Sequence, residues 1–286
     1  GTPKPDPKPG ETPFWEVPHP RAEVERLKRA HQGRALLSVH AAVLGPHYST
    51  LEVARHDFRM ARELDVIASL HQGGGPARTP GGEQVNIVHG HALDDVELAR
   101  FCELGMSFSA AAESEMSQGH GHPLTGRLRK LGRAPSLGVD LESVLSGDML
   151  TQARVALGIQ RSLDNVAHRE AEGSIPPTST ITAHEALAWV TVEGARMLRQ
   201  SDRLGSLAAG KQADLVLVRA DTINMRPVHD PVAAVVFQAS LANIDSVMVA
   251  GQWKKRHGEL VGVDLAPKLD ALEASGRKIV AALGLA

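Results

Sequence analysis

Along this chain, short unbroken apolar runs alternate with longer segments whose apolar positions recur every three or four residues. The runs are residues 35–44, 65–70 (DVIASL), 85–88 (VNIV), 107–112 (SFSAAA) and 135–139 (PSLGV). The longer segments, at residues 22–31, 51–64, 94–104, 149–168 and 182–199, carry the helical period. Strands without polar alternation are covered on both faces, so the text predicts five strands of a parallel sheet with helices packed against it. Ser49-Thr50-Leu51-Glu52 and Thr182-Ala183-His184-Glu185 read as capping boxes that open two of the helices. Asp94 and Glu97 suit the positive end of a third.

The character changes near residue 201. Strand texts at 213–218, 246–250, 252–256 and 259–261, the last two around a His257-Gly258 turn, predict a small β-layer, and residues 266–282 a terminal helix. Seven prolines in the first twenty residues remove donors and oppose helix, so the chain opens on an extended lead-in. The expected organisation is a lead-in (1–20), an α/β part (21–200) and a β-rich part with its terminal helix (201–286). No internal repeat of solenoid period is present.

Composition narrows the partners. Among 286 residues, 31 Lys and Arg stand against 33 Asp and Glu, a net charge of −2, with no block of like charges, which argues against nucleic acid or an anionic membrane surface. No apolar stretch approaches the roughly 18 residues of a membrane span and no leader text opens the chain, so a cytoplasmic protein acting on a small molecule is expected. A homo-oligomer stays open. Cys102 is the single cysteine, which excludes a disulfide framework and a cysteine zinc site and reads as a buried helix residue. Fourteen histidines prompt a search for metal or acid/base chemistry.

Three metal-competent residues end apolar runs: His71 after DVIASL, His89 after VNIV and Asp140 after PSLGV. In a parallel barrel the carboxyl ends of the strands form one rim, where the three can converge. Two imidazoles and a carboxylate suit a borderline divalent ion, zinc or iron, which acidifies water into a nucleophile. The alternative for each alone is a satisfied histidine or a capping aspartate. Glu113 and Glu115 can reach the same rim as acid/base or substrate-binding groups, or belong to a solvated loop. His40 and His47 flank the end of the 35–44 run and read as structural, the alternative being that they line a pocket, and Lys211 reads as structural. Gly73-Gly74-Gly75 has no phosphate-loop context, and neither Ser117 nor Ser136 sits in a nucleophile elbow.

The segments VNIVHGHALDDVEL, ESEMSQGHGHPLTGRL, PSLGVDLESVLSGDMLTQAR, TAHEALAWVTVEGARML and GSLAAGKQADLVLV resemble the amidohydrolase superfamily, in its cytosine deaminase and s-triazine chlorohydrolase branch. The resemblance runs from residue 35 almost to the end. It implies a (β/α)8 barrel of the TIM type, present here as strands 4 to 8, with part of a small β-sandwich domain. It also implies that His71 is the strand-5 metal ligand, that Asp140 is the strand-8 ligand taking a proton from metal-activated water, and that His89 is the strand-6 histidine contacting water and substrate.

Two departures accompany it. The family's His-x-His after strand 1 has no counterpart: His89-Gly90-His91 and His120-Gly121-His122 have the spacing but not the place. A divalent ion here therefore requires ligands not present in this chain. The family's deaminases carry His-x-x-Glu, the Glu shuttling protons, where this chain reads His71-Gln72-Gly73-Gly74. The resemblance implies a metal-dependent hydrolase of C–N or C–Cl bonds in a cyclic amidine, amide or heteroaromatic ring. The alternative is a truncated or non-catalytic barrel scaffold.

Overall fold

The computed structural model describes residues 7–34, 36–72 and 82–285. Ala35, Gly74 and the first six residues of the proline-rich lead-in lie outside the described residues. In chain order the elements are α1 (Arg21–Ala30), β1 (Ala41–Ala42), α2 (Leu51–Glu63), β2 (Ala68–Gln72), β3 (Val85–His89), α3 (Asp95–Glu103), β4 (Ser107–Ala110), α4 (Ala112–Ser117), α5 (Thr125–Lys130), β5 (Ser136–Leu137), α6 (Met149–Glu172), α7 (Ala183–Trp189), α8 (Val192–Met197), β6 (Leu215–Val218), α9 (Pro231–Phe237), β7 (Ile244–Val249), β8 (Gln252–Arg256), β9 (Glu259–Leu260) and α10 (Ala266–Ala282).

The contacts fall into two units. The first runs to Lys211 and includes Pro227–Ala239. Its sheet has the order β1-β2-β3-β4-β5, every pair parallel. Each strand lies beside its neighbour in sequence with no reversal of order, which is the arrangement of a (β/α) barrel rather than of a doubly wound sheet. β3 is buried at every residue but Val88, and β2 at Ala68, Leu70 and Gln72, with His71 exposed at its carboxyl end. Phe58, Met60, Leu98, Phe101, Ile87 and Leu128 pack into one core cluster, and Leu137, Leu157, Ile181 and Trp189 into a second. Each such side chain contributes about 1.5–3 kcal/mol by burial.

One polar line crosses this sheet. Asn86 donates to Ser69 Oγ at 3.2 Å and accepts from Ser107 at 3.1 Å and Ser109 at 3.2 Å, and Ser109 meets Ser136 at 2.8 Å. Hydrogen bonds thus tie β2 to β5 through side chains as well as backbone, which fixes the relative heights of the strand ends.

Three details differ from the sequence reading. The 35–44 run yields only the two residues of β1, because Ile67 donates its backbone N–H to His40 Nδ1 (3.1 Å) and not to a strand carbonyl. α2 is capped by Thr50, whose hydroxyl accepts from Val53 N–H. Ser49 is engaged with the Gly45 carbonyl at 2.8 Å, so no capping box forms there. The 182–199 helix is two helices, broken at Thr191, which leaves helical geometry at φ −131° and ψ −91° and donates its hydroxyl to the Leu187 carbonyl. The box at Thr182 and Glu185 is present, as is one at Asp94 and Glu97.

The second unit, Gln212–Arg226 with Ser240–Ala286, holds an antiparallel sheet of order β6-β7-β8-β9 and then α10. Two tight turns, Ala250-Gly251 and His257-Gly258, have both residues at positive φ and connect its last three strands. Among the described residues no helix is long and apolar enough to cross a membrane.

Candidate active site

The carboxyl ends of β2 and β3 lie side by side, with Gln72 paired to His89 and His71 to Val88. The His71 and His89 rings consequently stack, 5.2 Å apart and 15° from parallel. Burial pushes the His71 imidazole below its ordinary pKa, and His89 pushes it the same way while the Asp140 carboxylate opposes them. His71 is therefore a neutral nitrogen donor near pH 7. His47 donates its Nε2 hydrogen to the His71 carbonyl, holding the strand end from the β1 side.

His89 ends β3 at φ +67° and Asp140 follows β5 at φ +70°, left-handed conformations that side chains seldom adopt. Gly90, next to His89, is also left-handed at φ +67°, where a side chain is strained, and a Cβ there would press on Leu124 Cδ1 at 2.9 Å. These turns aim the two side chains over the sheet end.

α4 begins directly after β4 and places Ser114 and Glu115, both fully buried, beneath them. Glu115 Oε1 accepts the Ala111 N–H at 3.0 Å and lies 3.0 Å from His89 Nδ1. Because a carboxylate only accepts, the Nδ1 of His89 carries the hydrogen and its Nε2 is left for other partners. Ser114 donates its hydroxyl to Asp140 Oδ2 and accepts from Gln118 Nε2 at 2.6 Å. Glu113 points elsewhere: its carboxylate accepts from Ser146 and, at 2.5 Å, from Gln152, a residue of α6.

Two further histidines complete the rim. The His91 and His120 rings stack at 5.2 Å and 18°, and His120 stands edge-on to His89 at 5.7 Å. His120 is placed by the end of α4, where Gly119 turns left-handed at φ +73°, the Gly119 N–H reaches the Met116 carbonyl, and the His120 N–H bonds the Glu115 carbonyl at 2.8 Å. That is a Schellman ending. The His-x-His spacings in the sequence marked both residues, but no spacing rule revealed that the two motifs meet. Ser114 had no sequence signal at all. His40 lies at the opposite, amino end of the sheet, on a cleft of about 750 Å³ lined also by Lys28 and Asp65.

His71 and Asp140 have the donor chemistry of a borderline divalent ion and lie close enough for the carboxylate to act on the imidazole. Among the described residues, however, no group of three or more His, Cys, Asp or Glu side chains is arranged to hold an ion. The chain thus presents two donors of a set that its described residues do not complete.

The sequence matches the Amidohydrolase family over residues 19–254. It is 34% identical over 201 residues to an 8-oxoguanine deaminase of Pseudomonas aeruginosa, covering 70% of this chain and 42% of that protein. It is 29% identical over 171 residues to a 5-methylthioadenosine/S-adenosylhomocysteine deaminase of Symbiobacterium thermophilum, covering 60% and 37%. The chain spans about two fifths of the length of these curated relatives. In fold it is similar to an adenosine deaminase from Xanthomonas campestris with bound zinc, with a TM-score of 0.77 at 22% identity, covering 90% of this chain and 61% of that one. It is likewise similar to the atrazine chlorohydrolase TrzN from Arthrobacter aurescens complexed with zinc, with a TM-score of 0.75 at 21% identity, covering 89% and 59%.

Proposed function

Because the chain belongs to the amidohydrolase family, we propose that it carries the carboxyl-terminal part of the catalytic machinery of a cytoplasmic, metal-dependent hydrolase. The substrates are small heteroaromatic rings, cyclic amidines or cyclic amides that lose an amino group or a halide. The convergence of His71, His89 and Asp140 at one end of the sheet, with Glu115 clamping His89, is the observation that carries this reading. Deaminases among the relatives and a zinc-containing chlorohydrolase among the similar structures agree with the substrate class.

His71 and Asp140 are the residues of this chain that would hold the ion, zinc or iron, which would require further ligands not present in this chain. A divalent ion bound there supplies Lewis acidity that makes water nucleophilic near neutral pH. Asp140, with Oδ2 held by the Ser114 hydroxyl, keeps Oδ1 to accept a proton from the attacking water. His89, fixed by Glu115, presents Nε2 to the substrate. Glu113 is committed to Ser146 and Gln152, and Glu115, fully buried, acts on the substrate only through His89.

The test is metal analysis of two proteins, this chain and a version extended upstream in its reading frame, each beside His71→Ala and Asp140→Asn. One equivalent of zinc or iron in the extended protein, lost in both variants and accompanied by hydrolysis of an amino- or chloro-heteroaromatic ring, is the expected result. Metal content indifferent to both substitutions overturns the reading.

A further inference from the structure

Loss of an amino group from a ring requires a group that protonates the departing nitrogen. Replacing a ring amino group by oxygen forms a C–O bond and breaks a C–N bond whose electron pair leaves on nitrogen. One of the two protons of water must reach that nitrogen for ammonia to depart, and the other stays on the oxygen or a ring nitrogen of the product. Chloride leaves as an anion and needs no proton, the spare one passing to solvent. A group that donates selectively in the first case must be titratable, exposed on the rim and not committed elsewhere.

Most rim side chains fail that requirement. Glu115 is fully buried on His89 and the Ala111 N–H. Glu113 is held by Ser146 and Gln152, Asp140 by Ser114, and His47 by the His71 carbonyl. His89 Nδ1 is tied to Glu115. His120 remains. It is exposed, its ring makes no hydrogen bond to a described residue, and it stands edge-on to His89 at 5.7 Å, beside the imidazole that addresses the substrate. Beneath it the His91 ring stacks at 5.2 Å, with a buried Nδ1 that has no partner among the described residues.

We infer, resting on the hydrolase reading, that His120 is the acid that protonates the departing amine, and that His91 is the positioning residue on which it stacks. His120 gives its proton to the leaving nitrogen and regains one from the proton that the attacking water releases. The Schellman ending of α4 sets the height of His120, and the face of His91 sets its tilt. Burial, and next the proximity of His120, depress the His91 pKa.

The experiment compares two substrates on one heteroaromatic ring, amino-substituted and chloro-substituted, with the metal-loaded, upstream-extended protein and its His120→Gln, His91→Asn and His122→Gln variants. The charged or titratable groups facing His120 are His89 and His91 from the β3 side and Glu115 from α4, and all are kept in the His120→Gln variant. That variant is expected to lower kcat for the amino substrate at least 30-fold, to change the chloro substrate less than 3-fold, and to abolish the fall of kcat at high pH. His91→Asn is expected to give a smaller loss on the amino substrate alone, and His122→Gln none. Equal losses on both substrates, or none on either, overturn the inference while leaving the hydrolase reading intact. Failure of the unmodified protein to hydrolyse either substrate overturns that reading and the inference with it. His120 is exposed, so a thermal transition matching that of the unmodified protein is expected to accompany each His120 result.

Discussion

Glu115 and His89 form a buried carboxylate–imidazole pair, 3.0 Å between Oε1 and Nδ1, that joins α4 to the end of β3. The carboxylate chooses the tautomer of the histidine and leaves Nε2 as the working atom. Glu115→Gln keeps an acceptor for the Nδ1 hydrogen and loses only charge, so kcat is expected to fall about 10-fold with KM little changed. Glu115→Ala frees the ring and is expected to lower kcat about 100-fold, the upper end of what such supporting partners contribute. The alanine variant should also lose about 1–3 kcal/mol of stability, because the buried Ala111 N–H is left without an acceptor. Steady-state kinetics and urea unfolding measure both.

Two glycines should respond oppositely to alanine. At Gly90 the new Cβ meets Leu124 Cδ1 at 2.9 Å in a left-handed conformation, and a loss of about 1–3 kcal/mol is expected. At Gly158, inside α6 with open space around the new atom, the same change should stabilise by up to about 1 kcal/mol. Denaturant midpoints of the two variants should move in opposite directions.

Acid should loosen the β1 edge through His40. Its pKa is lowered by burial first, then by Lys28 and Arg199, against the opposing pull of Asp65. The unfolded chain then binds more protons than the folded one below the ordinary histidine pKa, about 6.5, so stability is unaffected well above that pH and falls as pH drops through it. Protonation of Nδ1 also removes the acceptor of the Ile67 N–H. His40→Gln, which keeps an accepting oxygen, should flatten the decline between pH 7.5 and 5.5 in denaturation midpoints. An unchanged slope counts against His40 as its source.

Ser114 is the partner that orients Asp140. Asp140 is exposed and reaches its position through a left-handed residue, so little else holds the carboxylate. Ser114→Ala is expected to weaken zinc binding by the extended protein about 10- to 100-fold without changing the number of ions bound. Competition with a chromogenic chelator reads the affinity directly.

The strand text was legible where burial dominates: VNIV became β3, and the DVIASL run ends in β2. It misled where a side chain replaces backbone pairing, as His40 does at β1, and where two candidate caps adjoin, as at Ser49 and Thr50. The residues ending apolar runs were likewise readable as a rim, since strand ends of a parallel sheet must share one side. What the text withheld was partnership. Glu113 and Glu115 are two residues apart and look alike, yet on a helix they face different neighbours, one α6 and the other His89. Tautomer choice and ring stacking depend on register between strands, which no single segment encodes.

The ending of α4 has a bearing on how this region can be altered. Glu115 supplies its side chain to His89 and its backbone carbonyl to the His120 N–H, so one residue sets the place of both histidines. The five-residue separation between Glu115 and His120 is consequently a mechanical linkage, and a one-residue insertion or deletion within it would uncouple the two imidazoles even if every side chain were retained. Loop exchange aimed at new leaving groups should therefore carry residues 113–121 as one cassette, joined at Ala112 on one side and beyond Gly121 on the other.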